Sequence, residues 1–374
     1  MKLGNKSCTI FSIGGGKGGV GKSVLSIGMA TALAKEGKSV ILVDMDLGAA
    51  NLHTYLGIRG RTPTIADFIL GKTPSLENIL VETPVTNLGL ISGAEFIPGI
   101  TSPAHWMKLK LIRHLRALPA DYVIIDLGAG VHFNTLDFFG VSDQGVVITA
   151  PEPGAVMNAY SFIKGALFRK VQAVFKNHPD LSAIIEDATK SPDSERQFTL
   201  EWFSEKLRDS APDMLSLVGE IEQAFHPALV INRAPEGRTH LLVKNLIMLC
   251  KEKLGITLEH VGDLPEVREM SNYLLNVPLL FDKPFAGQYF LSVQRIVEHL
   301  VRPGGEIPAR KAGGFDFSDE DLRTLNLLMD SLDDGVFAST SRNAWKLRLF
   351  FRPSDVVSYL VSRGVTHELF YQFQ

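Results

Sequence analysis

The chain has 374 residues, 45% of them hydrophobic and 21% charged, which is enough apolar material to bury a large core and excludes a mainly disordered chain. Thirty-eight Lys and Arg stand against 41 Asp and Glu, a net charge of −3 that argues against a strongly basic nucleic-acid-binding surface. Two cysteines, Cys8 and Cys250, are too few for a disulfide framework and lack the paired spacing of a zinc or iron–sulfur site, so a reducing cytoplasm is expected.

Residues 8–13 read as a buried strand, the glycines after them as a loop, 22–35 as a helix and 39–44 as a second buried strand, which makes a βαβ unit. The apolar run at 8–13 is too short, and too quickly ended by glycine, for a signal peptide, and no stretch approaches the roughly 18 apolar residues of a membrane span. Gly37 suits a left-handed cap behind the helix, and Val40, Ile41, Leu42 and Val43 form the continuous apolar run of a strand covered on both faces. Further buried strands are expected at 88–91, 122–126, 145–149 and 228–232, with helices between most of them. This repetition predicts a doubly wound α/β fold, a mostly parallel sheet with helices on both faces.

From 177 to 226 the pattern changes to charged helical segments broken by Pro179, Pro192 and Pro212, as in a helical insertion. Residues 302–315, with Pro303, Gly304, Gly305, Gly313 and Gly314, read as a linker between a domain spanning 1–301 and an appendage at 316–374. In the appendage Ser318 suits the cap of a helix with Leu322, Leu325, Leu328, Met329 and Leu332 on one face. Trp345, Leu347, Leu349 and Phe351 then alternate with Lys346 and Arg348 as in a half-buried strand, before a second helix near Pro353, so a small α/β or helical unit is expected.

Gly16-Lys17-Gly18-Gly19-Val20-Gly21-Lys22-Ser23, followed by Val24, fits G-x-x-x-x-G-K-[ST] between a predicted strand and a predicted helix, the context that marks a phosphate-binding P-loop. The glycines let backbone N–H groups curl around phosphate oxygens at the positive end of the helix, Lys22 reaches the outer phosphates and Ser23 holds Mg²⁺. Asp44 and Asp46 close the second strand and Asp126 closes the strand at 122–126, all at the carboxyl ends where open α/β sheets bind ligands. An acid so placed suits Asp126 to Mg²⁺, as in a Walker B element. The ten histidines show no metal spacing, and His105 and His114 read as surface or packing residues.

An ordinary phosphate loop does not need Lys17. With it, GGGKGGVGKS resembles the deviant Walker A box of the MinD/ParA family of P-loop ATPases. The resemblance implies ATP and Mg²⁺ as cofactors, and a face-to-face homodimer in which Lys17 reaches the partner subunit's nucleotide. It implies that Asp46 positions the attacking water in a switch segment, with Asp44 structural or beside Mg²⁺. It places Asn232, followed by Arg233, at adenine, and a second adenine-side loop at Gly262-Asp263-Leu264-Pro265, with Pro265. The expected site is then Lys17, Lys22 and Asp46 for catalysis, Gly16 to Val24 with Asn232, Arg233 and Pro265 for the nucleotide, and Ser23, Asp46 and Asp126 for Mg²⁺.

Three phrases, DMDLGAANLHTYL at 44–56, DLGAG at 126–130 and TAPEPGAVMNAYSFIK at 149–164, are most similar to the FlhG branch (also FleN or YlxH), which controls flagellar number and placement. The resemblance covers about 7–177 and 226–300. It implies slow, partner-stimulated hydrolysis that governs an ATP-dependent dimerisation switch in the cytoplasm, at the inner face of the membrane or at a cell pole. Members of the branch usually carry an N-terminal DQAxxLR-type helix that stimulates FlhF; few residues precede the first strand here, so that route is not expected. Their basic C-terminal membrane helix has a poor match in 366–374, which holds Leu369, Phe370, Tyr371 and Phe373 but no Lys or Arg. The cations at 345–352 follow a period of two, so a membrane surface is less expected as a partner than a protein that stimulates hydrolysis. Two other readings stay open: a ParA-like DNA or cargo partition ATPase, which needs a basic face, and a scaffold that binds ATP without turnover. An iron-protein relative needs paired cysteines, and a tyrosine kinase of the superfamily needs more than Tyr371 in its tail.

Overall fold

The computed structural model describes residues 8–46, 49–93, 105–175, 199–234 and 240–301. The predicted linker and appendage, and 177–198 of the predicted insertion, lie outside them. The strands are β1 (Thr9–Gly14), β2 (Val40–Met45), β3 (Val81–Glu82), β4 (Leu88–Ile91), β5 (Tyr122–Leu127), β6 (Gln144–Thr149), β7 (Ala228–Ala234) and β8 (Glu259–Pro265). They form one eight-stranded sheet in the order β3-β4-β2-β5-β1-β6-β7-β8. All pairings are parallel except β3 with β4.

Strand periodicity sorts the side chains onto two faces. In β2, Ile41, Val43 and Met45 join one core, whereas Val40 and Leu42 join the other. In β5, Val123, Ile125 and Leu127 alternate in the same way with Ile124. Each such fully buried Ile contributes about 1.5–3 kcal/mol. The next residue in each second series is Asp44 or Asp126, and the two sit opposite one another in register. The alternation that builds the core therefore delivers a pair of carboxylates to one face at the strand ends.

That face is covered by α1 (Lys22–Lys35), which starts at the P-loop, by the short α2 (Leu52–Tyr55), and near the end of the chain by α10 (Val277–Phe281) and α11 (Gly287–Val301). Helix α1 is buried on almost every side because the sheet lies under it and α11 over it. A Cβ on Gly28 would come within 3.3 Å of Val293, so the small residue sets how closely the two helices cross. After α3 (Ile65–Ile69), which carries a capping box at Thr64 and Asp67, the opposite face is packed by α4 (His105–Arg116), α5 (Phe133–Val141) and α6 (Pro153–Phe175). It is completed by α7 (Leu200–Ser210), α8 (Leu215–Ala224) and α9 (His240–Leu254). Leu200, Phe203, Leu207, Val218 and Ile221 bury α7 and α8 in this core, so the described part of the predicted insertion packs into it, α8 against α6. His114 packs edge-on against Phe68 at 4.7 Å. No helix among the described residues is long and apolar enough to cross a membrane.

One buried carboxylate ties three of these helices together. Asp137 of α5 accepts from Lys108 of α4 at 2.6 Å and from the Arg169 guanidinium of α6 at 2.6 and 2.7 Å. Lys108 is itself largely buried, so Asp137→Ala strands a cation and is expected to cost about 3–5 kcal/mol. Urea unfolding of the two proteins measures it, and a difference under about 1 kcal/mol would show that water replaces the bridge.

The structure departs from the predicted elements at their ends and at one edge. β1 runs Thr9–Gly14, so Cys8 is buried just before it. Gly262 to Pro265, expected as a loop, forms the second half of edge strand β8, which pairs with β7 across two register shifts. Gly262, at φ 157, sits at that irregularity, where a Cβ would press within 2.7 Å of Ile296.

Candidate nucleotide site

The loop between β1 and α1 is held from three sides. On the α6 side a Cβ on Gly16 would lie 2.0 Å from the Asn158 carbonyl oxygen, and on the β6 side one on Gly15 would lie 2.7 Å from that of Ile148. On the β7 side the Asn232 amide donates to Val20 O at 2.8 Å, and Arg233 donates to Gly19 O at 3.1 Å. Arg233 does so from a left-handed backbone at φ 54, an uncommon conformation for a residue with a side chain. Gly19 and Gly21 have φ of 75 and 102, where glycine alone is unstrained, and they turn the chain into α1. The first turn of α1 contains no acid and its cap residue Gly21 offers no side chain, which leaves backbone N–H groups facing the loop's concavity.

Lys22 is buried, its Nζ 3.4 Å from Lys17 O. Burial lowers its pKa, while Asp126 and Asp46 work the other way. Asp126 accepts from the Ser26 hydroxyl of α1 at 2.8 Å and from Ser23; burial nevertheless pushes it up to about 6. Asp44 accepts from the backbone N–H groups of Asp46, Asn51 and Leu52 at 3.1, 3.0 and 3.1 Å. Burial, with Asp126 beside it, raises Asp44 to about 7. Asp44 therefore holds the end of β2 and the start of α2 together, the structural of its two expected roles. Burial also raises Asp46, against the pull of Lys22, and its carboxylate lies over Gly128, where a Cβ would be 3.0 Å from Oδ1.

Two carboxylates with raised pKa values, Asp126 and Asp46, thus act on the one buried Lys22, with Asp44 beside Asp126, an excess of negative charge that a divalent cation relieves. Among the described residues no group of three or more His, Cys, Asp and Glu is placed to hold a metal ion by itself. The predicted Ser23, Asp126 and Asp46 are brought together around Lys22, with Asp126 accepting from Ser23.

Beside the loop lies a cavity of about 430 Å³. Its walls run from Gly19, Gly21 to Val24, Asn232 and Arg233 across to Pro265, Met270 and Leu274, with Tyr55 on the α2 side. The expected Gly19, Gly21, Lys22, Ser23, Val24, Asn232, Arg233 and Pro265 are therefore together on one wall system, and Asn232 braces the loop, which its spacing did not announce. Gly16, Lys17, Gly18 and Val20 complete the loop without lining this cavity. Lys17 lies on the outer rim and pairs with Glu152, ahead of α6, at 3.0 Å, both side chains about half exposed. Glu152, Ser26 and Tyr55 were not singled out by the sequence; only the position of Glu152 inside APEPG hinted at it.

The model of the CobQ/CobB/MinD/ParA nucleotide-binding domain matches residues 11–276. The chain belongs to this family. Among curated relatives, the antiactivator FleN of Pseudomonas aeruginosa is 29% identical over 163 residues, 41% of this chain and 55% of FleN. The flagellum site-determining protein YlxH of Helicobacter pylori is 36% identical over 163 residues, 43% of this chain and 54% of YlxH. The matched region thus spans about half the length of these relatives. The septum site-determining protein MinD of Pyrococcus horikoshii, solved with Mg-ADP, superposes with a TM-score of 0.53 at 17% identity over 81% of this chain and all of that one, a likeness of fold.

Proposed function

We propose that this chain is an ATPase in which ATP and Mg²⁺ drive a monomer into a face-to-face homodimer, and that the dimer controls the number or placement of a cellular structure, the flagellum before others. The observation that carries the switch is the placement of Lys17. Its bond to Glu152 is an exposed ion pair, screened by water and so easily exchanged for a stronger anion. Around it the surface is apolar: Val131, Phe133 and Met157 are 48%, 66% and 54% exposed. Ala129, just before Val131, neighbours Gly18, and Asn158, next to Met157, neighbours Gly16, so these residues flank the loop that carries Lys17. An apolar rim around a loosely held lysine suits a second copy of the same face.

Within one subunit, Lys22 and the α1 N-terminus bind the phosphates, Ser23 and Asp126 hold Mg²⁺, and Asp46 orients water for in-line attack. When bound, Mg²⁺ neutralises charge developing on the phosphate oxygens. The flagellar assignment draws support from the similarity to FleN and YlxH. A paired pull-down from lysate with ATP tests the whole reading, using Asp46→Ala as a locked dimer and Lys17→Ala as a monomer. Flagellar basal-body or regulator proteins on the Asp46→Ala bait alone are expected. DNA-partition proteins there would assign a partition ATPase instead, and identical sets on both baits would replace the switch with a scaffold.

A further inference from the structure

Tyr55 is half-buried at the end of α2 and is the only aromatic residue lining the 430 Å³ cavity among the described residues. Across the cavity stand Pro265, Val267, Met270 and Leu274, interleaved with Glu266, Arg268 and Ser271, a wall that offers no ring of its own. The end of α2 touches this side directly, because a Cβ on Gly57 would be 3.3 Å from the Asn276 side chain and 3.5 Å from Leu275 O. At its other end α2 is bound to Asp44, whose Oδ2 accepts from Asn51 and Leu52 while its Oδ1 accepts from Asp46 N. One carboxylate thus fastens both the helix that carries Tyr55 and the strand end that carries Asp46.

We propose that Tyr55 is the base-stacking residue of the site and that, through Asp44, its seating on the base sets the position of Asp46. This rests on the nucleotide reading above. A planar purine gains most from a facing ring, and that contact is lost to a ligand made of phosphate alone. Because α2 has only four residues, its seat on the core through Leu52 and Tyr55, the base contact and the Asp44 bonds together fix its place. Tyr55 acts as a base contact and a positioning residue and touches no reacting atom.

Calorimetric titration of the full chain with Mg-ATP and with magnesium tripolyphosphate, together with turnover at saturating ATP, tests this. Tyr55→Ala is expected to weaken ATP roughly tenfold or more, to leave tripolyphosphate unchanged and to lower kcat as well as raise KM. Tyr55→Phe should restore all three. Equal weakening of ATP and tripolyphosphate would reduce Tyr55 to a structural wall, and unaltered ATP affinity would remove the base contact. A kcat unchanged at saturation would break the link to Asp46. A wild-type chain that binds neither ligand overturns the nucleotide reading itself, and this proposal with it.

Discussion

Replacing Asp46 with alanine is expected to lower ATP turnover by about 100-fold or more while ATP binding persists. The carboxylate lies over the Gly128 backbone, at the end of the strand that carries Asp126, and so close to where a terminal phosphate would meet Lys22. Little in the loop depends on that side chain. The Asp46 N–H is held by Asp44, and Lys22 is held near Lys17 O, so the phosphate cradle survives the substitution. Removing the carboxylate also leaves Lys22 with less opposing charge, which favours a bound triphosphate. Single-turnover hydrolysis beside an ATP titration measures both halves. Unchanged turnover would remove Asp46 from the chemistry, and lost binding would make it part of the cradle.

Gly16→Ala is expected to abolish nucleotide binding with the rest of the fold intact. The added carbon would fall 2.0 Å from the Asn158 carbonyl oxygen and 2.4 Å from its carbon, both main-chain atoms of α6. A flexible side chain could rotate away, but a helix anchored by the buried Ala159, Phe162 and Ile163 cannot, so the loop must lift. Lifting it pulls the backbone N–H groups out of their arc and breaks the bonds from Asn232 and Arg233. Gly154→Ala, in the first turn of the same helix, meets nothing within 4 Å and serves as the control. Circular dichroism together with ATP titration separates the outcomes: a Gly16→Ala chain that binds ATP like the control would show that the close approach has no functional weight.

How far residues alone lead depends on whether the cause is local. Helix α1, expected at about 22–35, is legible because both ends are chemical events, the P-loop glycines before Lys22 and the left-handed Gly37 beyond Lys35. The strand ends slip by a residue or two because parallel pairing continues past the last obvious apolar position, to Met45, Leu127 and Ala234. β8 escapes because Glu259, His260, Gly262 and Asp263 carry no strand signal; its neighbour β7 makes it a strand. In the site, the P-loop, Asp46 and Asp126 are visible as motif and strand-end acids. The bonds Asp44 makes to Asn51 and Leu52, the bracing of the loop by Asn232 and the grip of Glu152 on Lys17 join residues from distant strands and loops, or lie within a turn, and no spacing rule reports them.

Light scattering of the Asp46→Ala chain in Mg-ATP and in Mg-ADP reads whether ATP closes two copies around Lys17. The mass is predicted to double with ATP, to stay single with ADP, and to stay single with either nucleotide once Lys17→Ala is added. A mass that ignores the nucleotide, or a dimer that survives the loss of Lys17, would contradict the switch.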